Sequence, residues 1–162
     1  MQQASLSGCT ALVTGAAKRI GRAISIKLAE AGANVIVHYN ISAEEASHTC
    51  KEIAHRGVKA WALQGDLTDP QACLDLAEQA SDLAGPVQVL VNNASVFAPS
   101  RLSDLDPGAF DRNIHVHALA PLLLTRCLAR SLPQDARGSV VNLLDAYLGT
   151  YQLQHAAYNL SK

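Results

Sequence analysis

The sequence is poor in several features that mark other protein classes. Aromatic residues make up only 4% of the 162 residues, so Ala, Val, Leu and Ile must build the core. The four cysteines (Cys9, Cys50, Cys73 and Cys127) include no C-x-x-C pair, which favours reduced, mostly buried thiols in a cytoplasmic protein. The six histidines show no metal-ligand spacing on one helical face, so we expect no metal site.

The sequence also lacks an excess of charge and any long apolar run. Its formal net charge is −1 at pH 7, which argues against nucleic acid or an anionic membrane as the main partner. No apolar run reaches membrane-spanning length, and the first ten residues lack the pattern of a signal peptide. The length predicts a single domain over residues 1–162.

Five apolar runs alternate with amphipathic segments. The strand-like runs are 10–14, 34–39, 58–65, 87–93 and 138–144. Helical patterns cover about 20–31, 42–57 with Ser42 as its N-cap, a segment opening at Asp69-Pro70, and 108–131. Strands that are apolar on both faces and separated by helices imply a parallel sheet covered on each side, so the sequence predicts a doubly wound, Rossmann-like α/β fold.

Unusual residues follow each predicted strand. They lie at 14–21, 38–42, Asp66, 92–97 and Asp145. The carboxyl ends of parallel strands share one sheet edge, and ligands of such folds bind there. The sequence therefore predicts one ligand site at this edge.

The segment VTGAAKRIGRA joins the first strand to the first helix. Gly15 permits a tight turn, and Gly21 lets the helix start pack close to the sheet. The helix N-terminus offers free N–H groups to a pyrophosphate, and Lys18 and Arg19 add positive charge. We predict a dinucleotide phosphate site at Gly15, Lys18, Arg19, Ile20 and Gly21; the alternative is an ordinary strand-to-helix turn.

The end of the second strand carries no acidic residue. An acid there binds the ribose 2′-hydroxyl of NAD and would repel the 2′-phosphate of NADP. The chain instead has His38, Tyr39, Asn40 and Ser42, with Arg19 or Lys18 nearby to hold a phosphate. This pattern favours NADPH as the cofactor.

Tyr158 and Lys162 are four residues apart at the end of the chain, so on a helix they share a face. A free tyrosine has a pKa near 10, and a neighbouring ammonium favours the phenolate. We therefore expect a lowered pKa for Tyr158 and a role in proton transfer. The alternative is a pair on a helix surface.

The motifs TGAAKRIG, GDLTD, NNAS and Tyr158-x-x-x-Lys162 occur in the order and spacing of one family. Together they resemble the short-chain dehydrogenase/reductase family from about residue 8 to the last residue. The resemblance implies that Tyr158 exchanges a proton with substrate and that Lys162 binds the nicotinamide ribose. It also places further residues along the cofactor: Asp66 and Leu67 beside the adenine, and Asn93, Ala94 and Ser95 beside the ribose and nicotinamide.

Asp145 departs from the common family pattern, which has a serine thirteen residues before the tyrosine. That serine donates a hydrogen bond to a ketone oxygen, whereas an ionised aspartate would repel the charge developing there. An aspartate accepts hydrogen bonds from N–H groups and, when protonated, gives a proton to an imine nitrogen. Asp145 therefore suits a nitrogen heterocycle whose C=N bond is reduced; the alternative is a residue capping a turn.

Five residues together resemble the pteridine reductase branch of the family: Arg19, Ser95, Phe97, Asp145 and Tyr158. The resemblance implies a pterin or folate substrate stacked between Phe97 and the nicotinamide of NADPH. Core packing is the alternative for Phe97. An NADPH-dependent carbonyl reductase of the 3-oxoacyl type is the second hypothesis, and a catalytically silent dinucleotide-binding module the third.

Two further expectations come from the resemblance. The family's relay asparagine aligns with His117, while Asn113 lies one turn earlier. The family fold continues past its catalytic lysine, so we expect a C-terminally incomplete fold, or a second chain that completes it. The apolar helix HALAPLLLTRCLA suits a homo-oligomer, a tetramer by resemblance.

Overall fold

The computed structural model describes residues 5–146 and 154–162. Residues 1–4 and 147–153 of the predicted domain lie outside the described part. Strands β1 to β5 are Thr10–Val13, Asn34–Tyr39, Ala60–Gln64, Val89–Asn92 and Ser139–Asn142. Helices α1 to α6 are Arg19–Glu30, Ala43–Ala54, Pro70–Ala84, Pro107–Ile114, Ala120–Ser131 and Ala156–Ser161, with a short 3₁₀ turn at Leu102–Asp104.

The five strands form one parallel sheet in the order β3-β2-β1-β4-β5. The chain moves outward from β1 through β2 to β3, then returns to the other side of β1 as β4. The strand order reverses between β1 and β4, and in open α/β sheets the ligand crevice lies at such a switch point. The predicted doubly wound, Rossmann-like fold is confirmed.

Successive residues of the central strands point into two separate cores. Leu12, Ile36 and Leu90 pack with α3 and α5 on one face of the sheet. Val13, Val37 and Val91 pack with α1 and α2 on the other face. Burying each such side chain contributes about 1.5–3 kcal/mol, so both faces hold the strand ends in fixed positions.

The helix predicted over 108–131 is interrupted by a π turn at His115–Leu119. The amide of Ala120 donates to the carbonyl of His115, which is a five-residue hydrogen bond. Pro121 has no N–H, and in a regular α-helix its ring would press on the carbonyl of His117. The extra residue in this turn relieves that conflict and aims His117 at the sheet edge.

Two smaller expectations are met only in part. Ser42 is the N-cap residue of α2, but its side chain makes no capping hydrogen bond. Cys73 is the one fully buried thiol of the four, and the other three cysteines are half-buried, all in the reduced form. The fifth strand is an exposed edge strand, with Val141 49% exposed. Within the described residues, no helix is long and apolar enough to cross a membrane.

Candidate active site

The loop after β1 is bonded to the loop after β4. The Thr14 hydroxyl accepts the backbone N–H groups of Asn93 and Ala94, both at 3.0 Å. In return, the Asn93 side-chain amide donates to the carbonyls of Thr14 at 2.8 Å and Gly15 at 3.1 Å. These bonds bring the glycine loop and the NNAS segment together at the switch point.

Two glycines of this loop are required by its geometry. Gly15 has φ +62°, in the left-handed region, and a Cβ there would lie 3.0 Å from the Cα of Ala94. A Cβ on Gly21 would lie 2.3 Å from the carbonyl oxygen of Gly15 and 2.5 Å from the Asn93 amide nitrogen. A side chain at either position would separate α1 from the sheet edge.

Positive charge surrounds the start of α1. Lys18 is the N-cap residue, and its ammonium lies 3.6 Å from the carboxylate of Glu45. Arg19 has φ 53° and an exposed side chain, so its backbone lies in the left-handed region that favours glycine. Backbone strain of this kind clusters at functional sites, which makes Arg19 a candidate binding residue.

His38 lies beneath the glycine loop and is almost fully buried. Its Nδ1 accepts the N–H of Gly15 at 3.1 Å, and its Nε2–H donates to the carbonyl of Gly65 at 3.0 Å. Burial lowers the pKa of His38 to about 4, so the ring is neutral at physiological pH. The neutral ring holds the glycine loop against the end of β3.

A cavity of about 170 Å³ opens beside this loop. Leu67, Val96 and Val116 give it apolar walls, while Asn40 and Asp66 give it polar groups. The Asp66 carboxylate accepts hydrogen bonds from the amide and hydroxyl of Thr68, at 2.9 and 2.8 Å. Apolar walls with a few fixed polar groups fit a planar base such as adenine.

Tyr158 and Asp145 meet at the carboxyl end of β5. The Tyr158 hydroxyl donates a hydrogen bond to the Asp145 carboxylate. Tyr158 is only 9% exposed. Burial, together with the hydrogen bond and the charge of Asp145, raises the pKa of Tyr158 to about 12. The expected lowering of this pKa is therefore wrong: the expectation counted cations alone, whereas the structure adds burial and a carboxylate.

Lys162 follows Tyr158 by one helical turn on α6, as the spacing predicts. Its backbone N–H donates to the carbonyl of Tyr158 at 3.0 Å. Burial lowers the pKa of Lys162, and the charge of Asp145 opposes that effect. The carboxylate thus acts on both members of the pair.

Phe97 lies over the phenol and is 54% exposed. Its ring contacts Tyr158 edge-on, with centroids 4.7 Å apart. The imidazole of His155 stacks on one face of Phe97 with centroids 3.9 Å apart. Phe97 is not a core residue, and the face that His155 does not cover is the one on which a planar ligand would stack.

We name residues 95–100 the Phe97 segment. Hydrogen bonds join this segment to α6 and to Gln154 just before it. The amide of Ser100 donates to the carbonyl of Gln154, and the amide of Ala156 donates to the carbonyl of Ser100, both at 2.7 Å. The Ser100 hydroxyl accepts the N–H of Ala157 at 3.0 Å. The aromatic and the phenol are therefore held by one connected structure.

The predicted site residues form two groups. Asn40, Asp66, Leu67, Ala94 and Ser95 line the 170 Å³ cavity, as do Gly15 and His38. Ser95 and Phe97 also lie toward Tyr158 and Asp145.

Two predicted residues lie apart from these groups. Tyr39 packs against the core behind β2, and Ile20 is 64% exposed at the start of α1. In residues 5–146 and 154–162, no cluster of His, Cys, Asp or Glu could hold a metal ion.

Comparison with models of known protein families identifies the family of this chain. The model described as short chain dehydrogenase matches residues 9–162. The chain belongs to the short-chain dehydrogenase family. The glycine loop, the NNAS segment and the Tyr158–Lys162 pair are thus elements of a short-chain dehydrogenase.

Similar proteins include both pteridine-related and carbonyl reductases. The structure resembles that of FolM, alternative dihydrofolate reductase 1, from Brucella canis, which was solved in complex with NADP. The TM-score is 0.90 and the sequences are 38% identical, over 97% of this chain and 62% of that one. The angucycline C-6 ketoreductase LanV with bound NADP gives a TM-score of 0.88 and 32% identity, over 97% of this chain and 63% of that one. NADPH-dependent aldehyde reductase 2, chloroplastic, of Arabidopsis thaliana is 31% identical in an alignment of 170 positions that covers 97% of this chain and 62% of that protein.

Three residues of the site are absent from the sequence-based prediction of site residues. His117, His155 and Ser100 all contact the Phe97 segment or α6. The alignment with the family's relay asparagine pointed to His117, but not to its partners. His155 and Ser100 carry no local sequence signal, because their contacts join residues that are 57 positions apart in the chain.

Proposed function

We propose that this short-chain dehydrogenase is an NADPH-dependent pteridine reductase that reduces C=N bonds of a dihydrobiopterin- or dihydrofolate-type substrate. The observation that carries the proposal is the hydrogen bond from Tyr158 to Asp145 beneath the exposed ring of Phe97. The likeness to an alternative dihydrofolate reductase with bound NADP supports it. We further propose that residues 1–162 belong to one dinucleotide-binding catalytic domain.

The cofactor site fits NADPH rather than NADH. Asn40 stands at the end of β2 where an NAD-binding site has an acid. Arg19 presents its guanidinium at the start of α1, and Lys18 and Ser42 lie at the same edge. Arg19 and Lys18 would hold the 2′-phosphate, and the N-terminus of α1 the pyrophosphate. When bound, NADPH supplies the hydride.

The site's own groups place and protonate the heterocycle. Phe97 offers one ring face to a planar substrate, and the Asp145 carboxylate accepts N–H groups on its edge. As the carbon of the C=N bond is reduced, the phenolic proton of Tyr158 would add to the nitrogen. The phenol donates to Asp145 in the resting state, so the two residues share one acidic proton, which solvent restores after each turnover.

A pKa near 12 keeps the Tyr158 phenol protonated at physiological pH, so the side chain holds a proton to give. Lys162 follows Tyr158 by one helical turn, and its ammonium would stabilise the phenolate that forms when the proton leaves. An ionised Asp145 is also unfavourable beside the developing oxyanion of a ketone. The charge of Asp145 therefore favours nitrogen protonation over ketone reduction.

A carbonyl reductase is the second candidate, because similar proteins include a C-6 ketoreductase and an aldehyde reductase. The experiment is steady-state turnover by the 162-residue chain with NADPH, offering dihydrobiopterin and an acetoacetyl thioester in parallel. Faster turnover of dihydrobiopterin is the expected result, and faster turnover of the thioester would contradict the proposal. NADPH binding without either reaction would favour the silent module.

We propose that the protein forms a homo-oligomer. Leu122 on α5 is 63% exposed, which leaves an apolar position on the outer side of the helix HALAPLLLTRCLA. Sedimentation of the purified chain tests this, and a tetramer is the expected assembly.

A further inference from the structure

His117 lies in the π turn between α4 and α5 and contacts two separate parts of the proposed site. Its Nε2 lies 3.1 Å from the backbone nitrogen of Val96 and 3.0 Å from the hydroxyl of Ser95. Its Nδ1 lies 2.8 Å from the hydroxyl of Ser161 on α6. The ring therefore bridges the Phe97 segment and the helix that carries Tyr158.

The protonation state of this ring follows from its partners. A backbone N–H can only donate, so Nε2 must be the accepting nitrogen of His117. In the neutral ring the proton is then on Nδ1, which donates to Ser161. The Ser161 hydroxyl in turn donates to the carbonyl of Tyr158 at 3.0 Å. The chain of bonds has one consistent direction, from Val96 to the backbone of Tyr158.

The ring also packs against the phenol. The centroids of His117 and Tyr158 are 5.4 Å apart with the ring planes nearly perpendicular, and Phe97 meets the same phenol at 4.7 Å. A change in the position of His117 would thus shift both the proton donor and the stacking surface. Such shifts would lower the reaction rate, because small displacements of the groups that position a substrate reduce rates strongly.

We infer that His117 is a positioning residue, whose neutral ring, protonated at Nδ1, fixes the distance between the Phe97 segment and the Tyr158–Lys162 helix. The inference deepens the proposed pteridine reduction and rests on it for its kinetic consequence. Its structural content, the tautomer and the two hydrogen bonds, stands independently of the substrate.

Two substitutions separate the two ends of the bridge. The amide of a glutamine reaches about as far as Nε2, and that of an asparagine about as far as Nδ1. H117Q can still accept from Val96 but loses Ser161, and H117N keeps Ser161 but loses Val96. H115Q is the matched control, because His115 lies two residues earlier and bonds the carbonyl of Thr68 at 2.7 Å, away from Tyr158.

The first measurement is long-range ¹H–¹⁵N NMR of the imidazoles combined with exchange of the Val96 amide. We expect the His117 proton on Nδ1, and faster Val96 exchange in H117N but not in H117Q or H115Q. A proton on Nε2, or Val96 exchange unchanged in H117N, would overturn the inference. Neither result depends on which substrate is reduced.

The second measurement is kinetic. Loss of a hydrogen bond that positions the Phe97 segment is worth about 1 kcal/mol, so the KM for dihydrobiopterin should rise about fivefold in H117N and remain near the unsubstituted value in H117Q. Equal KM values in the two variants would contradict the positioning role. If the chain does not turn over pteridines while the NMR result holds, the proposed function fails and the bridge remains.

Discussion

The Tyr158 phenol donates its hydrogen bond to the carboxylate of Asp145, so the residue that we propose as the proton donor is paired with an anion. Burial of the phenol and the negative charge of Asp145 together raise the pKa of Tyr158 to about 12. Burial lowers the pKa of Lys162. A protonated phenol next to a hydrogen-bond acceptor for N–H groups is a combination that suits reduction of a C=N bond.

Replacing Asp145 by Asn should lower the pKa of Tyr158. The amide oxygen still accepts a hydrogen bond, but the negative charge that disfavours the phenolate is gone. Because burial remains, we expect a pKa between the ordinary value of about 10 and about 12. Titration of ¹³C-labelled tyrosine by NMR, with Y158F to assign the signal, measures this; an unchanged or higher pKa would show that Asp145 is neutral in the folded protein.

Replacing Arg19 by Gly should weaken NADPH binding without destabilising the fold. The left-handed backbone of Arg19 costs about 1 kcal/mol, which glycine relieves, while the greater freedom of glycine in the unfolded chain offsets part of the gain. The free energy of unfolding should therefore stay constant or rise slightly. Loss of a charged contact to the 2′-phosphate should weaken NADPH binding at least about tenfold.

Calorimetric titration with NADPH and NADH tests this prediction. R19K is the control, since it keeps the charge and the backbone strain. NADH affinity should be unaffected in both variants. An equal loss of affinity for NADPH and NADH in R19G would mean that Arg19 does not contact the 2′-phosphate.

Replacing Gly21 by Ala should both destabilise the fold and abolish cofactor binding. The new Cβ would lie 2.3 Å from the carbonyl oxygen of Gly15, so α1 must move away from the sheet. Such overpacking costs about 1–3 kcal/mol or more. Gly57 is the control: it has φ +80° with no atom within 4 Å of a Cβ, so G57A adds backbone strain alone and should leave NADPH affinity unchanged. Denaturant unfolding and NADPH titration distinguish the two, and normal NADPH affinity in G21A would contradict the close helix–strand contact.

His38 makes the fold sensitive to acid. Its folded pKa is about 4 and its unfolded value 6.5, so the unfolded state binds a proton first as pH falls. The stabilisation is complete above pH 6.5 and is lost as pH falls through about 4, with a slope of up to about 1.4 kcal/mol per pH unit in that window. Urea unfolding across this range should show the slope, H38Q should reduce it, and H55Q, on the exposed end of α2, should not. His117 has the same lowered pKa and keeps part of the slope in H38Q, so a slope as steep in H38Q as in the unsubstituted chain would be the contradicting result.

The fold and the glycine loop follow from local sequence pattern. Apolar runs such as NVIVHY, separated by amphipathic helices, fix a parallel sheet, and Gly15 and Gly21 mark the turn whose geometry admits no Cβ. The π turn at His115–Leu119 was not predicted, because a helical pattern with Pro121 in it looks continuous in sequence. A sequence motif predicts a structural element well when the geometry of that element requires a particular residue, as the glycine loop requires Gly15 and Gly21.

The electrostatics of the site depend on contacts that sequence spacing does not contain. The four-residue spacing of Tyr158 and Lys162 predicted their shared face, but the direction of the pKa shift depends on burial and on Asp145. The bridge made by His117 joins Val96, twenty-one residues earlier, to Ser161, forty-four residues later. Tertiary packing determines such partners.

The substrate specificity of the D145S variant tests most directly whether Asp145 selects a nitrogen heterocycle. The measurement is the ratio of kcat/KM for dihydrobiopterin to kcat/KM for an acetoacetyl thioester, with NADPH, in the unsubstituted chain and in D145S. A serine donates to a ketone oxygen and cannot hold the N–H edge of a pterin as a carboxylate does, so we predict that the ratio falls by about a hundredfold in D145S. An unchanged ratio, or one that rises, would contradict the assignment of Asp145 to a nitrogen heterocycle.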